Sequence, residues 1–171
     1  MRTNAEPIST TCACSAIRRT NRAVTQLYDI ALATTGITAT QFMMLQIIGD
    51  EGEIAQCEFA RQYSISVETL SRRFSWLRRR GLVTVRIGNH SQRIYSLTES
   101  GRVALENARP FWQNAENRLR GELSEPEWQD FLALCEKSVQ AAHAAEQLRT
   151  RNGHTVPSDQ LLDPTECDRA A

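Results

Sequence analysis

The 171-residue chain has no apolar run near the ~20 residues that a membrane helix requires. Residues 1 to 15 lack both the basic leader and the apolar stretch of a secretory signal, so a cytoplasmic protein without a membrane partner is expected. Its five cysteines (12, 14, 57, 135 and 167) are odd in number and show no CxxC pair, which points away from a disulfide framework and a structural zinc site and toward reduced thiols. The three histidines (90, 143 and 154) are scattered, so Cys12-Ala13-Cys14 gains no support as a metal site. A glycine-rich phosphate loop, H-E-x-x-H and G-x-S-x-G are also missing, and neither an enzyme nor a cofactor is expected. At 41% hydrophobic and 23% charged residues, the composition is that of one globular domain.

Net charge is absent too, with 20 basic residues against 20 acidic ones. The balance conceals segregation: between Ser66 and Arg93 lie seven arginines (72, 73, 78, 79, 80, 86 and 93) and a single acid, Glu68. Such a stretch can neutralise phosphates if folding places it on one face.

Hydrophobic spacing divides the chain into a mobile arm (1–11), a single domain (12–149) and a disordered tail (150–171). A first helix begins near Cys12 to Ser15, carries Ile17, Val24, Leu27, Tyr28, Ala31 and Leu32 inward, and ends at Gly36. Thr38 and Gln41 form a capping box for a second helix, with Phe42, Leu45 and Ile48 inward and Gly49 and Gly52 closing it. Residues 54–63 read as a short helix with Phe59 and Ala60 inward, followed by a tight turn in which Ser66 caps the next helix. There Val67, Leu70, Phe74 and Leu77 make the packed stripe, leaving Glu68, Thr69, Arg72, Arg73 and Arg79 outward. After Gly81, residues 82–87 and 93–97 read as a two-stranded hairpin around 88–92. Thr98 starts a long helix expected to bend at Pro110, and Ser124 with Glu127 starts a last one whose inward stripe is Trp128, Phe131, Leu132, Cys135 and Val139. Cys57 and Cys135 are assigned to the core.

The expected fold is therefore mainly α with a small β-hairpin wing: a winged helix-turn-helix with N- and C-terminal dimerisation helices. The DNA-binding lobe spans 36–101, and the dimerisation helices 12–35 and 102–149. Double-stranded DNA is the expected partner. Short polar groups at a helix start approach base edges, and arginines a turn later fork onto guanine or grip phosphate. The candidate contacts are Ser66, Val67, Glu68, Thr69, Ser71, Arg72, Arg73 and Arg79 on the helix, with Arg86, His90 and Arg93 on the wing. The terminal helices carry more apolar surface than a small winged helix needs to cover itself. A twofold homodimer would bury it and set two reading helices about one DNA turn, ~34 Å, apart.

Residues 58–83, from Glu58-Phe59-Ala60 through Thr69-Leu70-Ser71-Arg72 to Arg80-Gly81-Leu82-Val83, resemble without a gap the pattern of the MarR (multiple antibiotic resistance regulator) family. Leu97-Thr98-Glu99-Ser100-Gly101 resembles the family's L-T-x-x-G, and Gly36-Ile37-Thr38 with Gln41-Phe42 its G-L-T-x-x-Q-[FW] stretch. The resemblance implies a cytoplasmic homodimer with interleaved terminal helices. It also implies binding to a palindromic operator as a repressor, released by a small phenolic or aromatic ligand or by oxidation. Two departures stand out. Family wings commonly carry an Asp-Arg pair, whereas this wing offers Ser91-Gln92-Arg93, with Arg93 as counterpart of the arginine; and Val67 stands where many relatives have arginine.

Cys14 is spaced from Tyr28 and Gly36 much as the peroxide-reactive cysteine is in the family's organic hydroperoxide regulators, which implies a redox-sensing alternative using Cys14, Tyr28 and Arg18. Arg18 occupies the place of a second tyrosine in those sensors. A helix N-terminus favours a thiolate, and Cys12 lies nearby as a resolving thiol, although residues two apart seldom form an unstrained disulfide. The plainer reading makes Cys14 a small apolar interface residue. For a ligand, Tyr28, Phe42, Trp76 and Phe111 are the candidate lining, each of which would otherwise be core. A thiol peroxidase and a protein-interaction module complete the alternatives.

Overall fold

The computed structural model describes residues 12–151, so the expected arm (1–11), Cys167, His154 and the tail from 152 onward lie outside the described residues. The element order is α1 (Ala13–Leu32), a 3-10 turn (Ala33–Thr35), α2 (Ala39–Glu51), β1 (Glu53–Ala55), α3 (Gln56–Gln62), α4 (Val67–Arg79), β2 (Val83–Ile87), a second 3-10 turn (Asn89–Ser91), β3 (Arg93–Leu97), α5 (Glu99–Gly121) and α6 (Glu125–Arg151). No single described helix is long and apolar enough to cross a membrane.

The helix ends follow side-chain chemistry. Gly36, at φ 73°, closes the turn after α1. Thr38 Oγ1 accepts from the Gln41 amide at 3.3 Å while the Gln41 side chain accepts from the Thr38 amide at 2.8 Å, the reciprocal capping box expected of this pair. Asp29 of α1 accepts from the Ala39 amide at 2.7 Å, fastening the start of α2 to α1. Gly49 does not end α2, which runs to Glu51. It sits inside the helix where a β-carbon would stand 3.1 Å from Leu105 Cδ2, so its smallness lets α2 approach α5.

Two expectations are corrected. Residues 54–63 do not form one helix: Glu53–Ala55 is a strand paired antiparallel with β3 (Ile54 opposite Tyr95), and α3 starts only at Gln56. The expected hairpin forms as β2 with β3, and β1 joins it to make a three-stranded sheet in the order β1-β3-β2, with Tyr95 between Ile54 and Val85. Short apolar runs do not distinguish strand from helix by periodicity alone, and here sheet pairing decides. The assignment of Cys135 to the core is also corrected: it is exposed in this chain, as is Leu132 at 46%, whereas Cys57 is half-buried. α5 continues through Pro110 as a single helix.

The core joins α2, α3, α4, the sheet and α5, with Leu32, Met44, Leu45, Ile48, Phe59, Leu70, Phe74 and Leu77 all fully buried. α1 packs on α5 and α2. The start of α5 is pinned to the α4–β2 turn. Thr98 donates through its amide to the Leu82 carbonyl (3.1 Å) and through its hydroxyl to the Gly81 carbonyl (2.6 Å), and Thr98 Oγ1 accepts from the Gly101 amide (3.0 Å). That clamp brings Gly101 so near that a β-carbon would lie 1.9 Å from the Leu82 carbonyl oxygen. Because the obstruction is backbone, Gly101→Ala is expected to cost at least the ~1–3 kcal/mol of an overpacked core, and a fall of several degrees in melting temperature checks it.

Candidate nucleic-acid interface

The positive charge is almost wholly arginine, Lys137 being the single lysine. The planar guanidinium suits bidentate contacts to guanine and phosphate better than an ammonium does. How these arginines are presented depends on α4. Ser66 caps it, accepting from the Thr69 amide at 3.2 Å and donating to Thr69 Oγ1 at 2.8 Å. Leu70, Phe74 and Leu77 are fully buried. At about 100° per residue, Glu68, Arg72, Ser75 and Arg79 fall within about 60° of arc on the side opposite that stripe, so they form the outward crest. Arg73 lies on its flank, exposed. Ser75, half-buried, is placed on the crest by its register, which its residue type alone does not signal.

Other positions on the helix face elsewhere. Ser71 is half-buried and its hydroxyl accepts from Gln56 Nε2 at 2.6 Å, while the same nitrogen donates to the Val67 carbonyl at 3.1 Å. Gln56 is the one buried polar side chain among the described residues, at 5% exposure, and it fixes α3 against the first turn of α4. Val67 packs against the core. On the crest, the Arg72 guanidinium donates to the Glu68 carboxylate, both side chains remaining 77% exposed. Arg80 lies 5.2 Å over the ring of Trp76.

The wing lies beside α4. Its tip is closed by Gly88 N–H to the Gln92 carbonyl (2.7 Å) and Gln92 N–H to the Asn89 carbonyl (3.2 Å). Gln92 Nε2 also approaches Cys57 Sγ at 3.7 Å. Arg86 of β2 reaches across β3 to Glu53 of β1, donating to the two carboxylate oxygens at 2.6 and 3.3 Å. The guanidinium holds the Glu53 carboxyl below the ordinary carboxylate range, and the carboxylate raises Arg86 in turn. Sequence reading missed Glu53 because it belongs to the unrecognised strand. Arg93 and Arg78 lie near the Tyr95 phenol, which burial pushes up against their opposing effect. The His90 side chain lies outside the described residues.

Helix and wing are one unit through their aromatics. Phe74 of α4 stacks on Tyr95 of β3 with centroids 3.7 Å apart and takes Phe59 of α3 edge-on at 5.5 Å. The exposed arginines of two elements are therefore carried on a common rigid base.

The sensing candidates are dispersed. Cys12 and Cys14 are exposed at the start of α1, with Arg18 one turn beyond Cys14. Tyr28 is 14 residues further along, about 21 Å at the helical rise, so within one chain its phenol does not meet the Cys14 thiol. Instead it donates to Glu116 of α5 and stands 6.1 Å from Trp112, which stacks on Phe42 at 5.5 Å. Burial, then Glu116, pushes the Tyr28 phenol far above its ordinary value. Of the four aromatic candidates for a ligand cavity, Phe42 is core at 2% exposure and Trp76 belongs to α4. Phe111 lines an open cleft of about 640 Å³ with Thr35, Glu99, Val103 and Asn107. Of the four, Phe111 alone lines that cleft.

The Gln56 bridge yields a direct expectation. Gln56→Leu would strand the Ser71 hydroxyl and loosen the first turn of α4, costing ~1–3 kcal/mol in denaturant unfolding and raising amide exchange at 67–71.

No protein-family model and no curated protein matches the chain, but solved structures do. MosR, a transcriptional regulator of M. tuberculosis solved in complex with DNA, is 32% identical with a TM-score of 0.68, over 77% of this chain and 98% of its own. A MarR variant from E. coli complexed with operator DNA is 23% identical (TM-score 0.66, 72% and 90% covered). PcaV from Streptomyces coelicolor, with its natural ligand, is 19% identical (TM-score 0.70, 77% and 94% covered). The last two speak to fold alone. The identity and near-complete coverage of MosR, on a capped helix-turn-helix with a three-stranded wing, place this chain in the MarR family of winged-helix transcriptional regulators.

Proposed function

We propose that the protein is a sequence-specific double-stranded-DNA-binding repressor that acts as a homodimer on a palindromic operator and is released by a small ligand. The observation that carries this reading is the α4 crest, with Arg72 and Arg79 directly opposite the buried stripe and a rigidly attached wing beside it. A helix so presented enters the major groove with its first turns toward base edges, while Arg86 and Arg93 lie along the backbone or the adjacent minor groove. MosR and MarR, crystallised with DNA, support the partner, and PcaV, crystallised with its natural ligand, supports ligand control.

Residues 36–101 form the DNA-binding lobe in this reading, and the helices on either side, 12–35 and 102–149, join two copies. Ile17 of α1 (56% exposed) and Leu132 and Val139 of α6 (46% and 45%) are the apolar surface that a second copy would cover. The dimer then presents two reading helices to an inverted repeat.

Binding of the protein to its own upstream DNA across a salt series tests the reading. Arg72→Ala and Arg73→Ala are expected to weaken operator binding by ~1–3 kcal/mol each, and Arg93→Ala to lower the salt slope by ~1. Unchanged affinity in all three would refute the interface.

A second reading, redox release through Cys14, is favoured by the exposure of Cys12 at the N-cap and Cys14 in the first turn of α1. In that case organic hydroperoxide abolishes DNA binding by the reduced wild type and leaves Cys14→Ser bound. If oxidation has no effect on either protein, release belongs to a ligand.

A further inference from the structure

Glu68 is the only acid between Ser66 and Arg93, among seven arginines. It also occupies the crest of α4, in the first turn, opposite Leu70, Phe74 and Leu77, with its side chain 77% exposed. A face meant only to grip phosphate gains nothing from a carboxylate there, since the group is repelled by the backbone and has to be desolvated as the helix enters a groove. Its ion-pair partner is the Arg72 guanidinium, one turn on and equally exposed.

We propose that Glu68 is a base-selecting residue, its carboxylate accepting from the exocyclic amine of a cytosine in the major groove of each half-site. This deepens the proposed function and rests on it. Of the four major-groove edges, guanine offers acceptors at N7 and O6, thymine an acceptor and a methyl, and adenine a donor beside an acceptor. Only cytosine presents a donor with no acceptor to repel the second carboxylate oxygen. The ion pair with Arg72 gives the carboxylate its orientation before binding, and it leaves Arg72 beside it to take a guanine. Because both side chains are solvated, the pair is easily rearranged when the groove replaces water. At every other base the Glu68 carboxylate meets an acceptor and adds a repulsive charge against the DNA, so it works chiefly by excluding wrong sites.

The test is selection from a randomised duplex pool with the full chain, as wild type, E68Q and E68A, with thermal melting of each. The expected wild-type half-site holds one fixed C·G pair whose preference falls about tenfold or more in E68A and turns toward adenine in E68Q, while other positions keep theirs, one charge-assisted hydrogen bond being worth roughly that. Affinity for a scrambled duplex is expected to rise about two- to fivefold at ~0.1 M salt, because a repulsive charge is gone. A base profile unchanged in E68A overturns the proposal and leaves Glu68 as a charge stabilising the helix start, which lowered melting of both variants would register. Should the wild type enrich no sequence, the reading of α4 as a base-contacting helix falls, and this assignment with it.

Discussion

The packing of Phe74 between Tyr95 and Phe59 is the constraint on which the rest of the structure depends. It joins three elements of different type: the reading helix α4, the middle strand β3 and the supporting helix α3. Phe59 and Phe74 are fully buried, and Tyr95 is 5% exposed. An aromatic pair of this kind adds ~0.5–1.5 kcal/mol beyond area burial, and its stacked geometry restricts relative rotation as dispersed aliphatic contacts do not. The angle between helix and wing follows from it, and under the proposed function that angle decides whether Arg72 and Arg93 can address one duplex.

Around that centre, polar contacts set the translation of each part. Gln56 ties α3 to the first turn of α4, and the Thr98 clamp ties α5 to the α4–β2 turn, where Gly101 permits the approach. α5 then carries the position of the lobe to Trp112 and Glu116, which meet Tyr28 of α1 and Phe42 of α2. A contact on α1 or α5 is thereby linked to the reading head through continuous packed structure. That is the kind of connection along which two sites can bias one another if the elements have two arrangements.

Legibility from sequence tracked how local each determinant is. The capping box of Thr38 and Gln41, the Ser66 cap and the 3-4-3 stripe of α4 depend on residues within a turn or two, and all were readable from spacing. β1 was not, because three residues have no period of their own and become a strand only by pairing with β3, some 40 positions away. Missing β1 meant missing Glu53, the carboxylate that Arg86 meets from outside the hairpin. Ser71 was readable as polar but not as turned toward Gln56, a partner 15 positions earlier. Cys135 and Leu132 shared a stripe that spacing assigned to the interior. The chain alone leaves both exposed, since a stripe shows that a face wants cover without showing which molecule supplies it.

Two ion pairs give the interface its character. Arg72 with Glu68 and Arg86 with Glu53 are exposed pairs, of the sort worth ~0–1 kcal/mol to a fold, so stability alone accounts poorly for them. Both restrain a long side chain that would otherwise lose rotamer freedom only on meeting a ligand, and preorganisation of that kind lowers the entropic cost of binding. The pairs also lower the local positive potential, which weakens indiscriminate attachment to phosphate. A chain with no net charge and one concentrated arginine face is suited to rejecting most DNA. Under the proposed function, affinity then has to come from contacts that fit, and Arg73 and Arg79, which make no ion pair among the described residues, would supply the attraction that brings a duplex close enough for fit to be judged.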